Sequence, residues 1–163
     1  MDLHLRAARP GDTALLLSLI RELAVYERLA SSVVATEELL HEELFVKGHG
    51  EALLAEVHTD GNVQTVGFAL YFHSFSTFMG RSGLYLEDLF VRETWRGKGV
   101  GGRLLAELAR IALERGCGRL EWSVLDWNTP AIDVYRRLGA VPMEEWTVFR
   151  LEGEGIRRLA ERH

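Results

Sequence analysis

The order of elements along the chain predicts an α/β fold. Three observations carry that prediction: two helical patterns near the start, a hairpin after them, and a closing run of strand, helix, strand, helix, strand.

Residues 3–7 make a short strand candidate, which Pro10-Gly11-Asp12 breaks, offering Asp12 as an N-cap. Leu15, Leu16, Leu19, Ile20 and Leu23 then recur on one helical face that runs to about Tyr26-Glu27. Thr36 can cap a second helix over 37–44, whose acidic first turn suits the macrodipole. Residues 30–35 between the helices read as a loop near a ligand. Residues 51–57, the Asp60-Gly61-Asn62 turn and residues 65–73 form a hairpin signal. Residues 74–82 read as a loop in which Phe75, Phe78 and Met79 alternate with small polar residues.

Residues 84–91 are an apolar run rich in strand formers. Leu104, Leu105, Leu108, Ile111 and Ala112 take helical spacing over 103–115, and Gly116 and Gly118 close that helix. Residues 119–125 read as a strand, residues 128–138 as a helix closed by Gly139, and residues 146–151 as a last strand. No repeat, low-complexity run or linker interrupts the chain, so residues 1–163 are expected to form one domain.

Composition narrows the function. Hydrophobic residues are 47% and charged residues 26%, an ordinary globular balance. With 24 acidic against 19 basic residues the net charge is -5, which argues against a nucleic-acid partner and suits a cationic small substrate. The single cysteine, Cys117, excludes an internal disulfide and reads as structural. No signal peptide or membrane-length apolar run is visible, so the cytoplasm is the expected compartment. His4, His41, His49, His58, His73 and His163 lack metal-ligand spacing, and no metal is expected.

The chain is organised around the turn Arg96-Gly97-Lys98-Gly99-Val100-Gly101-Gly102, between the 84–91 strand and the 103–115 helix. Glycine permits positive φ and close backbone approach, so the turn's N–H groups can converge on one point where the helix dipole adds positive charge. Such a turn is suited to an anion, a pyrophosphate first of all. Gly97, Gly99 and Gly102 also spell G-x-G-x-x-G, the dinucleotide fingerprint. A dinucleotide fold would begin at this turn and need a second mononucleotide half, for which residues 103–163 are too few.

Arg96-Gly97-Lys98-Gly99-Val100-Gly101 resembles the signature of the GCN5-related N-acetyltransferase superfamily: Arg or Gln, two residues, Gly, one residue, Gly or Ala. The resemblance spans nearly the whole chain and narrows to the diamine branch, the spermidine/spermine and thialysine acetyltransferases. It rests on Arg6-Ala7-Ala8 with Asp12, Glu22-Leu23-Ala24-Val25-Tyr26-Glu27, Val66-Gly67-Phe68-Ala69-Leu70-Tyr71, Leu84-Tyr85-Leu86-Glu87-Asp88-Leu89-Phe90-Val91 and Trp127-Asn128-Thr129-Pro130-Ala131-Ile132-Asp133-Val134-Tyr135. It implies a central mixed, mostly antiparallel twisted sheet flanked by helices. In it the strands 84–91 and 119–125 run parallel and splay to admit the pantetheine arm of acetyl-CoA.

Transfer of acetyl to an amine requires a base, because an alkylammonium loses its proton only near pH 10. An acidic pair inside an apolar strand is costly unless used or satisfied, which singles out Glu87 as first candidate and Asp88 as second. The resemblance associates Glu87 with the base role, through water, and Tyr135 with proton donation to the departing thiolate. It further implies that Leu89, Phe90 and Val91 serve pantetheine and the thioester oxygen through their backbone. Arg96, Gly97, Lys98, Gly99, Val100, Gly101 and Gly102 would hold the pyrophosphate, and Asn128, which can cap its helix and also hydrogen-bond pantetheine, would bind the cofactor together with Pro130, Ala131 and Tyr135. Tyr26 and Glu27 match a pair at the acceptor mouth, with Glu27 on the distal ammonium, and Glu121, Trp122 and Ser123 match strand positions bordering the acceptor. Each also has a plainer reading: a paired or bulge-capping carboxylate, a tyrosine at a helix edge, core packing at Trp122, a solvated Glu27.

Polyamine-acetylating members carry Asp-Pro-Trp in the loop before the central strand, where this chain has Ser76-Thr77-Phe78-Met79. That departure favours a shorter amine, a small diamine or thialysine-like amino acid. A homodimer is expected from the branch, with residues 74–82 and the last strand as candidate contacts. Rival readings are an acetyltransferase for a protein N-terminus or an antibiotic, a non-catalytic coenzyme A sensor, and, last, a dinucleotide oxidoreductase.

Overall fold

The computed structural model describes residues 1–162, so His163 lies outside the described residues. They fall into two compact units, residues 1–125 and residues 126 onward.

The first unit is a five-stranded sheet in the order β1-β2-β3-β4-β5: β1 Leu3–Ala7, β2 Glu51–Thr59, β3 Asn62–Ser76, β4 Arg81–Val91 and β5 Leu120–Trp122. The first three pairings are antiparallel, whereas β4 and β5 run parallel from Leu84↔Leu120 to Leu86↔Trp122. The expected mixed sheet with a parallel pair is therefore present. Its fourth strand lies inside the sheet, and Leu84, Leu86 and Phe90 along it are apolar and buried, as a doubly covered strand requires.

Helix α1 (Thr13–Tyr26) buries Leu16, Leu19 and Leu23 against Ala52, Leu54, Phe68 and Phe90, and Leu44, Phe45 and Leu70 fill in around them. Leu16, Leu19, Leu54 and Phe68 are wholly removed from solvent, each side chain contributing about 1.5–3 kcal/mol. Helix α3 (Val100–Glu114) covers the opposite face: Gly101 in its first turn sits over the Leu89 and Val91 side chains, which alternate with Phe90. Its stripe of Val100, Leu104, Leu105, Leu108, Ile111 and Ala112 is buried as the spacing predicts.

Several expectations are corrected within this unit. Asp12 stands just before α1 but does not cap it; its carboxylate accepts from Arg6 Nη1 and Nη2 at 2.8 and 2.9 Å and from the Arg9 amide at 2.7 Å. Arg6 also donates to Glu56 at 2.6 Å, so one guanidinium ties β1, β2 and the turn before α1 together. Thr36 does accept from the Leu39 amide, but the helix it starts, α2 (Glu37–His41), continues as a π-helical turn, Glu42–Val46. The hairpin strands are longer than their propensities suggest, because ladder pairing carries β3 to Ser76 and starts β4 at Arg81; only residues 77–80 remain as turn. Strand β5 keeps three residues of the expected seven-residue span 119–125.

The second unit contains α4 (Thr129–Arg137) and α5 (Glu154–Ala160). Asn128 caps α4, its Oδ1 accepting from the Ala131 amide at 3.4 Å, and Gly139 follows at φ 90°. Residues 146–151 form no strand: their apolar pattern has no ladder partner, and a strand exists only by pairing. Helix α5 was not expected, although Gly153 before it, Glu154 in its first turn and Arg157 and Arg158 in its last agree with the macrodipole.

Candidate active site

The parallel ladder stops at Leu86↔Trp122, while β4 runs on to Val91, so residues 87–91 lack a partner on the β5 side. The Arg92 amide donates to the Val66 carbonyl at 2.8 Å, toward β3. Backbone groups of alternate strand residues point the same way. Phe90 therefore also turns its backbone toward β3, and Leu89 and Val91 turn theirs to the open edge. Of the three residues expected to offer backbone groups, Phe90 is thus engaged inside the sheet and serves as core, its ring 6.5 Å from that of Phe68. The Val91 carbonyl accepts from Arg96 Nε at 2.8 Å, which leaves the Leu89 amide and carbonyl open.

At the end of this edge lies the glycine turn. Gly97 and Gly99 take φ 73° and 86°, the left-handed region that favours glycine. Gly101 and Gly102 belong to the first turn of α3. The first bond of that helix runs from the Arg103 amide to the Gly99 carbonyl at 3.0 Å, and upstream of it no amide from Gly97 to Gly102 donates to a described residue. A run of open N–H groups at the positive end of a 15-residue helix is an anion site. Lys98 holds its ammonium 5.8 Å from the Trp95 ring.

A β-bulge separates Leu70↔Asp88 from Tyr71↔Leu86, leaving Glu87 as the extra residue of β4. Glu87 is exposed and Asp88 half-buried beside it. Burial first, then the charges of Glu87 and Glu27, push the Asp88 carboxyl up to about 6. Glu27, which follows the last residue of α1, is itself raised by burial. Glu87 and Glu27 thus both act on Asp88 next to the open edge.

On β5, Glu121 pairs with Arg119 at 3.5 Å, and Trp122 stands half-buried opposite Leu86. Ser123 shares a 2.7 Å hydrogen bond with the Tyr85 hydroxyl, fastening the chain where it leaves the ladder. Asn128, Pro130, Ala131 and Tyr135 belong to the second unit, where Pro130 sits in the first turn of α4 and Tyr135 two turns in.

Sequence spacing missed Arg92. It donates to Glu22 at 2.9 Å through Nη2 and to the Thr65 carbonyl at 2.7 Å through Nη1, holding α1 against the end of β4. Its partners stand 70 and 27 positions away, and only charge complementarity with Glu22 could have hinted at the pair.

An open strand edge leading to an amide-lined anion turn is what a thioester of a long diphosphate-bearing carrier needs, and it defines an acyl-CoA-dependent transferase. The chain belongs to the acetyltransferase (GNAT) family, whose model matches residues 17–140 and implies acetyl-CoA as co-substrate. Over 96% of both chains it is 42% identical to a thialysine N-epsilon-acetyltransferase of Bos taurus. It is 31% identical to an L-ornithine N5-acetyltransferase of Arabidopsis thaliana, covering 96% of this chain and 87% of that one. Among solved structures it is similar to an integron cassette protein of V. cholerae, with a TM-score of 0.80, 29% identity and 99% of each chain covered. No described helix is long and apolar enough to cross a membrane. Among the described residues no three His, Cys, Asp or Glu side chains gather as metal ligands.

Proposed function

We propose that this enzyme transfers acetyl from acetyl-CoA directly to the terminal primary amine of a small diamine or an amino acid of the thialysine or ornithine kind. The observation that carries the reading is the group of three carboxylates, Glu27, Glu87 and Asp88, beside the open edge of β4. A terminal ammonium is the cation such a group binds best. The names of the full-length relatives agree with it, since thialysine and ornithine both end in such an amine.

In this reading the Leu89 backbone extends the sheet onto the pantetheine amides, and the amides from Gly97 to Gly102, just past Arg96, receive the pyrophosphate. Asp88 and Glu27 hold the ammonium. Glu87, exposed at the bulge, accepts the ammonium's proton through water, and Tyr135 protonates the thiolate as coenzyme A departs. Asn128, Pro130 and Ala131 set the start of α4, while Glu121, Trp122 and Ser123 border the acceptor. The matched region 17–140 runs across residue 125, which supports a single N-acetyltransferase domain over residues 1–163. The turn at 77–80, with Phe78 fully exposed, supports a homodimer contact there, and residues 146–151 are the second candidate. The lone Cys117 suits a reducing cytoplasm.

The test is an acceptor panel with acetyl-CoA and thiol release as readout. Thialysine, ornithine and short diamines should be acetylated with kcat/KM well above that for spermine, a peptide N-terminus or an aminoglycoside; a preference for any of the last three would overturn the reading.

A further inference from the structure

The first residue of the glycine turn does not direct its side chain at the anion site. Arg96 Nε donates to the Val91 carbonyl, and its guanidinium carbon lies 4.5 Å from the Tyr26 ring centroid and 5.5 Å from that of Phe90. The planar cation therefore stacks on the last residue of α1, on the face of β4 that carries Phe90. Tyr26 is 39% exposed at the end of α1, where this stack covers its ring. The next residue is Glu27, whose charge reaches Asp88. One side chain thus joins the turn for the diphosphate, the open end of β4 and the segment that carries an acceptor carboxylate.

We propose that Arg96 is a positioning residue that couples the two substrate sites: it fixes Tyr26 and hence Glu27 to the glycine turn, so that filling the turn with acetyl-CoA tightens the amine site. The inference rests on the acceptor reading given above. Coupling of this kind is reciprocal, and the amine must tighten acetyl-CoA by the same factor. A phosphate ligand would behave otherwise, since its loss weakens the coenzyme alone. The geometry separates the two roles, because stacking and the bond to a carbonyl need the planar guanidinium and its Nε, which lysine lacks, whereas a phosphate contact needs only charge.

Arg96→Lys is the informative variant, and Tyr26→Leu tests the same link from the other side while leaving the turn intact. Each should raise KM for the amine about three- to tenfold, with the Kd of acetyl-CoA measured alone changed less than about twofold. The ratio of acetyl-CoA affinities with and without a saturating amine should fall toward one in both variants. Their double variant should lose no more than the worse single one. A weakened acetyl-CoA Kd with unchanged amine KM in Arg96→Lys would overturn the inference and make Arg96 a phosphate ligand. Equal loss of both, or an effect in only one of the two variants, would overturn it as well. If the wild type acetylates no such amine, the functional reading falls first. If it does and neither variant shifts the amine KM, only the coupling role falls.

Discussion

Leu86 of β4 and Trp122 of β5 are the last facing pair of the parallel ladder, and β4 continues past them to Val91 with no ladder partner on that side among the described residues. An unpaired strand edge is a liability unless something pairs with it. Here the occupied groups, Phe90 toward β3 and the Val91 carbonyl on Arg96, leave Leu89 as the free position. The acidic bulge lies at one end of this edge and the glycine turn at the other.

The turn separates two kinds of glycine. Gly99 holds φ 86°, so Gly99→Ala should cost about 1–2 kcal/mol of stability and weaken acetyl-CoA. Gly102 has helical geometry and open space around its missing Cβ. Gly102→Ala should leave stability unchanged or raise it by about 0.5–1 kcal/mol. Thermal melts with and without acetyl-CoA measure both; equal destabilisation by the two would refute this division.

Asp88 ties stability to pH against activity. Its carboxyl is raised to about 6, so the folded state keeps a proton that the unfolded chain releases near 4. Ionising it costs stability progressively between those values, and the penalty is constant above them. Asp88→Asn should therefore be more stable than wild type at pH 8 by about 1–3 kcal/mol, with the gap closing below pH 4. The rise of amine kcat/KM through pH 6 should vanish in the same variant. Denaturant melts and a pH–rate profile check the two halves.

Arg6 and Asp12 give the opposite sign. The Arg6 guanidinium holds the Asp12 carboxyl below the usual carboxylate range. Its stabilisation is present above the unfolded carboxylate pKa and is lost as pH falls through the folded one. Asp12→Asn should cost about 1–3 kcal/mol at pH 7, most of it from leaving Arg6 half-paired beside Glu56. Wild-type and variant stabilities should converge in acid, as urea titrations at pH 7 and pH 3 would show.

Tyr135→Phe removes the proposed proton donor. It should lower kcat by about 10²–10⁴ with acetyl-CoA affinity unchanged. Steady-state kinetics together with direct binding decide it, and parallel loss of both would count against the acid role.

How much of this was legible in sequence depends on whether the signal is local. The α3 stripe and the positive-φ demand at Gly97 and Gly99 are written in adjacent residues, and both stand where spacing puts them. Residues 146–151 have a strand's composition but no ladder among the described residues, because propensity supplies no partner. The shortening of β5 has the same origin: residues 123–125 lie beyond the point where β4 pairs. At the site, the acidic pair was visible, but its division of labour was not. Burial of Asp88 beside the bulged Glu87, with Glu27 arriving from the end of α1, pushes the Asp88 carboxyl up to about 6. The Arg96 stack on Tyr26 likewise depends on folding across 70 positions.

Titration calorimetry of the purified protein with acetyl-CoA tests the central claim most directly. One acetyl-CoA should bind per chain, with NAD giving no heat and Gly99→Ala losing most of the affinity. Folded protein that gives no heat with acetyl-CoA, or binds it equally well without Gly99, would contradict the assignment of this turn and edge.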